Sequence, residues 1–262
     1  MEIFCDDVAK YIEKIAPINL AMDWDNPGLI LGDMGRKIKS VVVCLDVTKD
    51  VVDFAIQKGA NLILSHHPFI FKGIKNINTK DQKGSLIEKL IKNDICVYAA
   101  HTNFDFAQNG LNNLLARKLN LHYENSLFFG NDKERTVGKI GELTNPLVFS
   151  EFIDYLKDKL NVKNVRAVGD INRSIKTIAV FCGAFDDSLL KVVAKRVDCI
   201  VTGDLKHHVA LDILEYGVNA VDASHFGTEY IFVEYVKKLL EEEFQGIDVL
   251  VLDSEKDSLV YM

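Results

Sequence analysis

The sequence predicts an α/β protein made of two related α/β lobes with mostly parallel strands. Apolar, strand-like runs alternate with amphipathic helical runs from Ser40 onward. The same order returns from Ile175 onward, and several of the strand-like runs in both halves end at a histidine or a carboxylate. Buried strands separated by helices are typical of parallel sheets with right-handed crossovers. We expect the lobes to be residues 1–125 and 126–262, packed as one compact unit with a dinuclear metal site between them.

The first lobe is predicted from its hydrophobic periodicity. A helix is expected over residues 6–16, before Pro17. It is followed by strand 41–45, helix 49–58, strand 61–65, helix 85–92, strand 95–99 and helix 111–119. Two segments are expected to be irregular. The turn-rich segment 24–32 holds the only tryptophan, and it is either a structural turn or a loop that closes over a site. The loop 71–83 is rich in lysine and asparagine, and its role stays open.

The second lobe begins with a short α+β entry segment and then repeats the first lobe. The entry segment holds a strand over 137–143, a helix over 150–160 and a short strand over 165–168. The repeated elements are strand 178–182, helix 187–195, strand 198–204, helix 205–216 and strand 219–223. A helix through Phe232, Val236 and Leu239 and a last strand over 247–252 complete the prediction.

Composition limits the class of protein. The chain has 262 residues, 48% of them hydrophobic and 26% charged, as expected of an ordinary globular protein. The net charge of −7 argues against non-specific nucleic-acid binding, which draws on Lys and Arg. The five cysteines form no Cys-x-x-Cys pair and lie mostly in apolar runs, so we expect buried thiols in a reducing compartment. We expect a cytoplasmic protein, since no signal-peptide pattern and no membrane-length apolar run is present.

Imidazole and carboxylate groups collect at the carboxyl ends of the predicted strands. This set comprises His66, His67, His101, Asp105, His225 and Glu229. Each half offers a histidine and, four residues later, a carboxylate, and residues four apart share one face of a helix. Nitrogen and oxygen donors of this kind bind divalent transition metals. Any one of these histidines alone is more often a hydrogen-bonded core or surface residue, but six donors in register favour metal.

Adjacent residues of a strand point to opposite sides, so His66 and His67 are expected to diverge unless the chain turns between them. Divergence would suit two separate ions about 3.5–4 Å apart, as in two-metal hydrolytic sites. Asp46 and Asp204 also follow strands. They are expected either to orient the imidazoles as hydrogen-bond acceptors or to cap the following helices.

Four segments together resemble a known family. They are Trp24-Asp-Asn-Pro-Gly28-Leu, Ser65-His-His-Pro68, His101-Thr-Asn-Phe-Asp105 and Ser224-His-Phe-Gly-Thr-Glu229. In combination they resemble the Nif-three-like dinuclear-metal-centre proteins, whose bacterial members are often named GTP cyclohydrolase I type 2 homologs. The likeness spans nearly the whole chain, and this chain resembles the short members of the family. The segment Phe181-Cys-Gly-Ala-Phe185 departs from the more glycine-rich turn of the family.

The resemblance implies a toroidal homohexamer and two divalent cations per subunit, whether zinc, iron, manganese or nickel. It implies that His67 and Asp105 hold one ion, that His66 and His225 hold the other, and that Glu229 bridges them. His101 is implied to stand beside the ions as a ligand or proton carrier, and we expect it to be the catalytic acid or base.

The function expected from these residues is a metal-dependent hydrolase acting on a nucleotide or a similar small anion. The GTP cyclohydrolase-like activity comes from the resemblance alone, since the sequence has neither a P-loop nor Gly-x-Gly-x-x-Gly. The alternative is a non-catalytic protein that binds or delivers metal, or a scaffold for partners. A third interpretation is a histidine-rich core that carries no stoichiometric metal.

Overall fold

The computed structural model describes residues 2–130 and 132–260, apart from the side chain of Glu124. Within it the chain forms two compact units. The first unit comprises the residues up to Ala107 together with Phe232–Lys256, and the second comprises Gln108–Ile231 with the residues from Asp257 onward. The C-terminal helix and last strand therefore belong to the first unit. The division into two lobes at 125/126 stays a prediction.

Helices and strands alternate along most of the chain. The helices are α1 (Cys5–Ile15), α2 (Lys49–Lys58), α3 (Gln82–Lys92), α4 (Thr102–Phe106), α5 (Leu111–Lys118), α6 (Phe149–Leu160), α7 (Leu190–Val193), α8 (His207–Glu215), α9 (His225–Glu229) and α10 (Ile231–Glu243). The strands are β1 (Gly28–Leu31), β2 (Ser40–Cys44), β3 (Leu62–Ser65), β4 (Cys96–Ala99), β5 (His122–Phe129), β6 (Asp132–Val148), β7 (Arg166–Val168), β8 (Ser174–Ala184), β9 (Cys199–Gly203), β10 (Asn219–Asp222) and β11 (Asp248–Leu250).

The first unit is built on a mostly parallel sheet with the strand order β1-β4-β3-β2-β11. Strands β2, β3 and β4 pair in parallel, β11 joins β2 in parallel, and β1 pairs with β4 in antiparallel orientation. Every residue of β2, β3 and β4 is buried, as expected for strands covered on both faces. Helix α2 is capped at its N-terminus by Thr48, whose side chain accepts a hydrogen bond from the backbone N–H of Val51. Gly59, in the left-handed conformation, caps its C-terminus.

The second unit contains the sheet β5-β6-β8-β9-β10-β7. Its centre is again parallel, since β8, β9 and β10 pair in parallel, while β7 pairs antiparallel with β10. The buried side chains of these strands include Ile178, Val180, Val201 and Val221. The β2-β3-β4 sheet with its antiparallel edge strand β1 thus has a counterpart in β8-β9-β10 with β7.

The α/β class predicted from the sequence is confirmed, and several element predictions need correction. The segment 24–32, expected to be a turn, contains the edge strand β1. This strand begins at Gly28, whose φ of +97° is readily adopted only by glycine. Strand β5 was not predicted, and β6 extends well beyond 137–143. Many residues of this hairpin are exposed, so hydrophobic periodicity does not reveal its strands. The predicted helix 187–195 is a 3₁₀ turn followed by the short α7.

Buried thiols and the absence of a membrane-length helix are also visible. The cysteines are free thiols, and Cys5, Cys44, Cys96 and Cys199 are buried, as predicted for core residues. Over residues 2–130 and 132–260, no helix is long and apolar enough to cross a membrane.

Candidate metal centre

The histidine pair of the first unit is held at the end of β3. The backbone N–H of His66 donates to Cys44 O at 3.1 Å, and that of His67 donates to Leu45 O at 2.9 Å. Two consecutive N–H groups thus donate to the same neighbouring strand, which breaks the alternation of a regular ladder, and Pro68, which has no N–H, follows them. The side chain of His66 is fully buried, and that of His67 is 23% exposed.

All four candidate histidines hold an oxygen acceptor at Nδ1. In the first unit, His66 Nδ1 lies 2.8 Å from Ala100 O, and His67 Nδ1 lies 2.9 Å from a carboxylate oxygen of Asp46. His101 Nδ1 lies 2.7 Å from a carboxylate oxygen of Asp25. In the second unit, His225 Nδ1 lies 2.8 Å from a carboxylate oxygen of Asp204. Asp46 and Asp204 therefore orient imidazoles, whereas the N-cap of α2 is Thr48 and that of α8 is Lys206.

This pattern decides which ring nitrogen is available. A carbonyl or carboxylate oxygen can only accept, so Nδ1 carries the proton and donates it. In the neutral ring the lone pair is then on Nε2. The hydrogen bond from Nδ1 to an oxygen is also the arrangement that fixes ring orientation and raises basicity in metal-binding histidines.

The first unit brings its donors together. His66, His67 and His101 each offer a ring nitrogen within 4.8 Å of those of the other two. The rings of His66 and His67 are 4.9 Å apart, so the divergence expected from strand alternation is wrong, because β3 ends at Ser65 and the alternation stops there. Asp105 lies in α4, and its Oδ1 is 3.5 Å from His66 Nε2. A lone pair on Nε2 that faces a carboxylate is repelled unless a cation or proton lies between them.

The second unit repeats this contact at a helix start. Ser224, at a φ of +67°, is the N-cap of α9, and its hydroxyl accepts the backbone N–H of Gly227 at 3.0 Å. His225 and Glu229 are the first and last residues of α9, so they share a face as the spacing predicts. His225 Nε2 lies 3.0 Å from Glu229 Oε2, and the carboxylate of Glu229 is almost fully buried.

The irregular end of β8 leaves room for this carboxylate only because residue 183 is glycine. Gly183 has a φ of +61°, and a Cβ at this position would lie 2.3 Å from Glu229 Oε1 and 3.2 Å from His225 Cε1. The N–H of Gly183 donates to the Thr228 hydroxyl at 3.0 Å, which fixes this end of β8 against α9. The glycine retained in this otherwise glycine-poor segment is thus the one that Glu229 requires.

Two carboxyl groups of the first unit escaped the sequence analysis. Asp25 binds His101 and the backbone N–H of Thr102, and its side chain is fully buried. Burial raises the pKa of Asp25, but the hydrogen bonds from His101 and Thr102 outweigh it and lower the pKa to about 2. The chain offered one signal, the acidic residue directly after the only tryptophan, but nothing that linked it to His101.

The second carboxyl group is that of Glu255, which contacts the backbone just after β2. One of its carboxylate oxygens accepts the backbone N–H groups of Leu45 at 2.8 Å and Asp46 at 3.2 Å. Burial raises the pKa of Glu255 to about 7, although these two donors act in the opposite direction. Glu255 thereby fixes the backbone of the residue whose carboxylate orients His67.

The donor chemistry fits divalent transition metals. It consists of imidazole Nε2 atoms with fixed rings and of carboxylates that face two of them, the ligand types of zinc, iron, manganese and nickel sites. The structure places all six sequence-predicted residues in these two groups. His66, His67, His101 and Asp105 form the group of the first unit, and His225 and Glu229 form that of the second.

Comparison with known proteins gives matches over nearly the whole chain. A family model described as Duf34/NIF3 (NGG1p interacting factor 3) matches residues 3–258. A Clostridium acetobutylicum protein named "GTP cyclohydrolase 1 type 2 homolog" is 35% identical, over 98% of this chain and 97% of that protein.

Among solved structures, the Staphylococcus aureus hypothetical protein SA1388 is similar, with a TM-score of 0.91 and 31% identity over all of both chains. Reduced HcgD from Methanocaldococcus jannaschii has a TM-score of 0.83 and 30% identity, over 97% of this chain and 99% of that one. With a family model that spans nearly its whole length and relatives above 30% identity over nearly all of both sequences, the chain belongs to the Duf34/NIF3 family.

Proposed function

We propose that this protein binds two divalent cations and uses them to hydrolyse a nucleotide or a similar small anion. The proposed metal ligands are His66, His67, Asp105, His225 and Glu229. The observation that carries the proposal is the shared role of Nδ1: each imidazole gives its Nδ1 proton to an oxygen, and two of the Nε2 atoms face carboxylates.

The geometry of the first unit favours a different sharing of ligands from the one implied by resemblance. His66 Nε2 is 3.5 Å from Asp105 Oδ1, so we assign these two residues to the same cation. His67, His225 and Glu229 complete the proposed ligand set, as the resemblance implies. This assignment is proposed as an alternative to the pairing of His67 with Asp105, which stays a prediction from resemblance.

Bound divalent cations would supply a water of lowered pKa and would polarise the bond to be broken. The chain's own residues do the remaining work. Asp46, Asp204 and the carbonyl of Ala100 fix the imidazole rings, so that the Nε2 atoms keep their positions. Asp25, ionised at neutral pH, holds His101 at Nδ1 and stabilises the imidazolium whenever His101 Nε2 takes up a proton. His101 is therefore the proposed general acid or base.

Single-turnover hydrolysis tests this function. Metal-replete protein is mixed with a panel of nucleoside triphosphates, and product formation is compared in wild type, His101→Ala and His122→Ala. The control residue His122 is exposed and binds the hydroxyl of Thr144. We expect His101→Ala to lose about 100-fold to 10,000-fold in rate with its metal content unchanged, since that is the usual contribution of general acid–base catalysis. His122→Ala should hydrolyse at the wild-type rate.

Retained metal with no turnover of any nucleotide would contradict the hydrolase and favour a metal-binding or metal-delivery protein. The toroidal homohexamer stays a prediction that rests on resemblance. Light scattering tests it, with an expected mass of six chains of 29.5 kDa each.

A further inference from the structure

Two exposed aromatic rings stand beside His101. Trp24 is 57% exposed and Phe71 is 44% exposed, although both are large apolar side chains. Their ring centroids are 5.7 Å apart, and they lie 6.3 Å and 6.0 Å from the ring of His101. We call Trp24 and Phe71 the aromatic rim. Exposed apolar surface gathered at one place is a feature of binding sites rather than of packing.

The aromatic rim is held in position by hydrogen bonds from the residues next to each ring. Asp25 follows Trp24 and binds both His101 Nδ1 and the backbone N–H of Thr102. Asn26 then donates its side-chain N–H to Ile70 O at 2.6 Å, directly before Phe71. Two segments 44 residues apart are thus tied to each other and to His101. A turn that only needed an anchor would bury its tryptophan, whereas this arrangement fixes the ring and leaves its face open to solvent.

The loop that carries Phe71 is positively charged, although Asp23 and Asp25 flank Trp24. Residues 69–80 contain Lys72, Lys75 and Lys80 and no acidic residue, in a chain whose net charge is −7. All three lysines are exposed. Exposed lysines on the loop of an open aromatic ring favour a ligand that is both flat and anionic, because the rings stack on a π-system and the lysines attract phosphate or carboxylate.

We propose that Trp24 and Phe71 stack the ring of a heteroaromatic anion, a nucleotide in chemical class, and hold it beside His101. This inference rests on the proposed function and deepens it, since it names the residues that would recognise the base. Stacking on aromatic side chains tolerates different bases, because every base has a π-face. The rim therefore predicts weak discrimination between purines and pyrimidines and strong discrimination against anions that lack a ring.

Tryptophan fluorescence tests the stacking by a readout that does not depend on turnover. Trp24 is the only tryptophan, so emission excited at the indole band reports on this one ring. Metal-loaded protein is titrated with GTP, ATP, CTP, UTP and inorganic triphosphate, with N-acetyltryptophanamide as the correction for absorbed light. We expect saturable quenching by the nucleotides and none by inorganic triphosphate.

Variants of the second ring separate stacking from simple proximity. Phe71→Leu is expected to weaken nucleotide binding about tenfold to a hundredfold by calorimetry, and Phe71→Tyr to restore it, since base stacking on one aromatic side chain contributes about that much. The matched control is Phe128→Leu in β5, an exposed phenylalanine of the second unit, which should bind as wild type. Melting curves of all variants exclude loss of folding as the cause.

Two results would overturn the inference. One is protein with its full metal content whose emission no nucleotide quenches. The other is Phe71→Leu with wild-type nucleotide affinity. Both leave metal binding intact and are therefore distinguishable from a failure of the proposed metal centre, which would show as protein without metal.

Discussion

Single hydrogen bonds at Nδ1 determine what the histidines of this protein can do. His67 and His225 each donate to an aspartate that lies 21 residues away in sequence, at the end of the neighbouring strand. The sequence pointed to Asp46 and Asp204 because both follow strands, and it left their role open between acceptor and helix cap. It could not point to Asp25, since 76 residues separate Asp25 from His101 and only the fold brings them together.

Removal of the Asp46 carboxylate tests this role. We expect Asp46→Ala to weaken metal binding about 10-fold to 100-fold, the usual effect of losing a group that orients a metal-bound imidazole. Competition titration against a chromophoric chelator measures the change. The control is Asp50→Ala, which removes an exposed carboxylate in the first turn of α2 and should bind metal as wild type. Equal affinity in Asp46→Ala and wild type would show that the carboxylate does not hold the ring.

At the scale of elements, the donors stand at strand ends, which the sequence located well, and on the short helices α4 and α9, which it indicated only through the spacing of four residues. Helix α2 begins and ends at the predicted residues, and β3 ends directly before His66, as predicted. The irregular end of β8 was predicted least well, because its shape depends on a φ of +61° at Gly183 and on the position of Glu229. Neither follows from hydrophobic periodicity.

Gly183→Ala is expected to lose metal binding, because the added methyl group would displace the carboxylate of Glu229. Gly217→Ala is the matched control. Gly217 has a φ of +64° and nothing within 4 Å of an added Cβ, so it shares only the backbone strain. Both variants should lose about 1 kcal/mol of unfolding free energy from that strain. Metal titration should separate them, and equal metal affinity in the two variants would contradict the role given to Gly183.

The raised pKa of Glu255 predicts that the stability of the protein depends on pH. Because the folded-state pKa of Glu255 is about 7, above the ordinary value of 4.5, its contribution to stability is fully present below pH 4.5 and is lost as pH rises through 7. Urea unfolding of metal-free protein at pH 5 and pH 8 measures this, with chelator present throughout.

Glu255→Gln keeps the acceptor for Leu45 and Asp46 and cannot ionise. Wild type should therefore lose up to about 3 kcal/mol relative to this variant between the two pH values. Parallel pH profiles of the two proteins would show that Glu255 is not held in its neutral form.

For the whole molecule, the parallel centres of both sheets were predictable because their strands are continuous apolar runs between helices. The β5–β6 hairpin was not, since many of its residues are exposed, Tyr123 and Phe128 among them, and its strands are defined by pairing with each other. The sequence also did not predict that the segment from Phe232 onward packs in the first unit. The pairing of β11 with β2 that places it there joins residues about 200 positions apart. Local periodicity carries no information about such contacts.

The metal content of protein purified without a histidine tag or chelator tests the central claim most directly. Elemental analysis should find two equivalents of a divalent transition metal per chain, removed by chelation and restored by dialysis against the same metal. Glu229→Gln should retain markedly less metal than wild type, and His122→Gln should retain as much. Wild-type protein that holds no stoichiometric metal, before and after dialysis, would contradict the account.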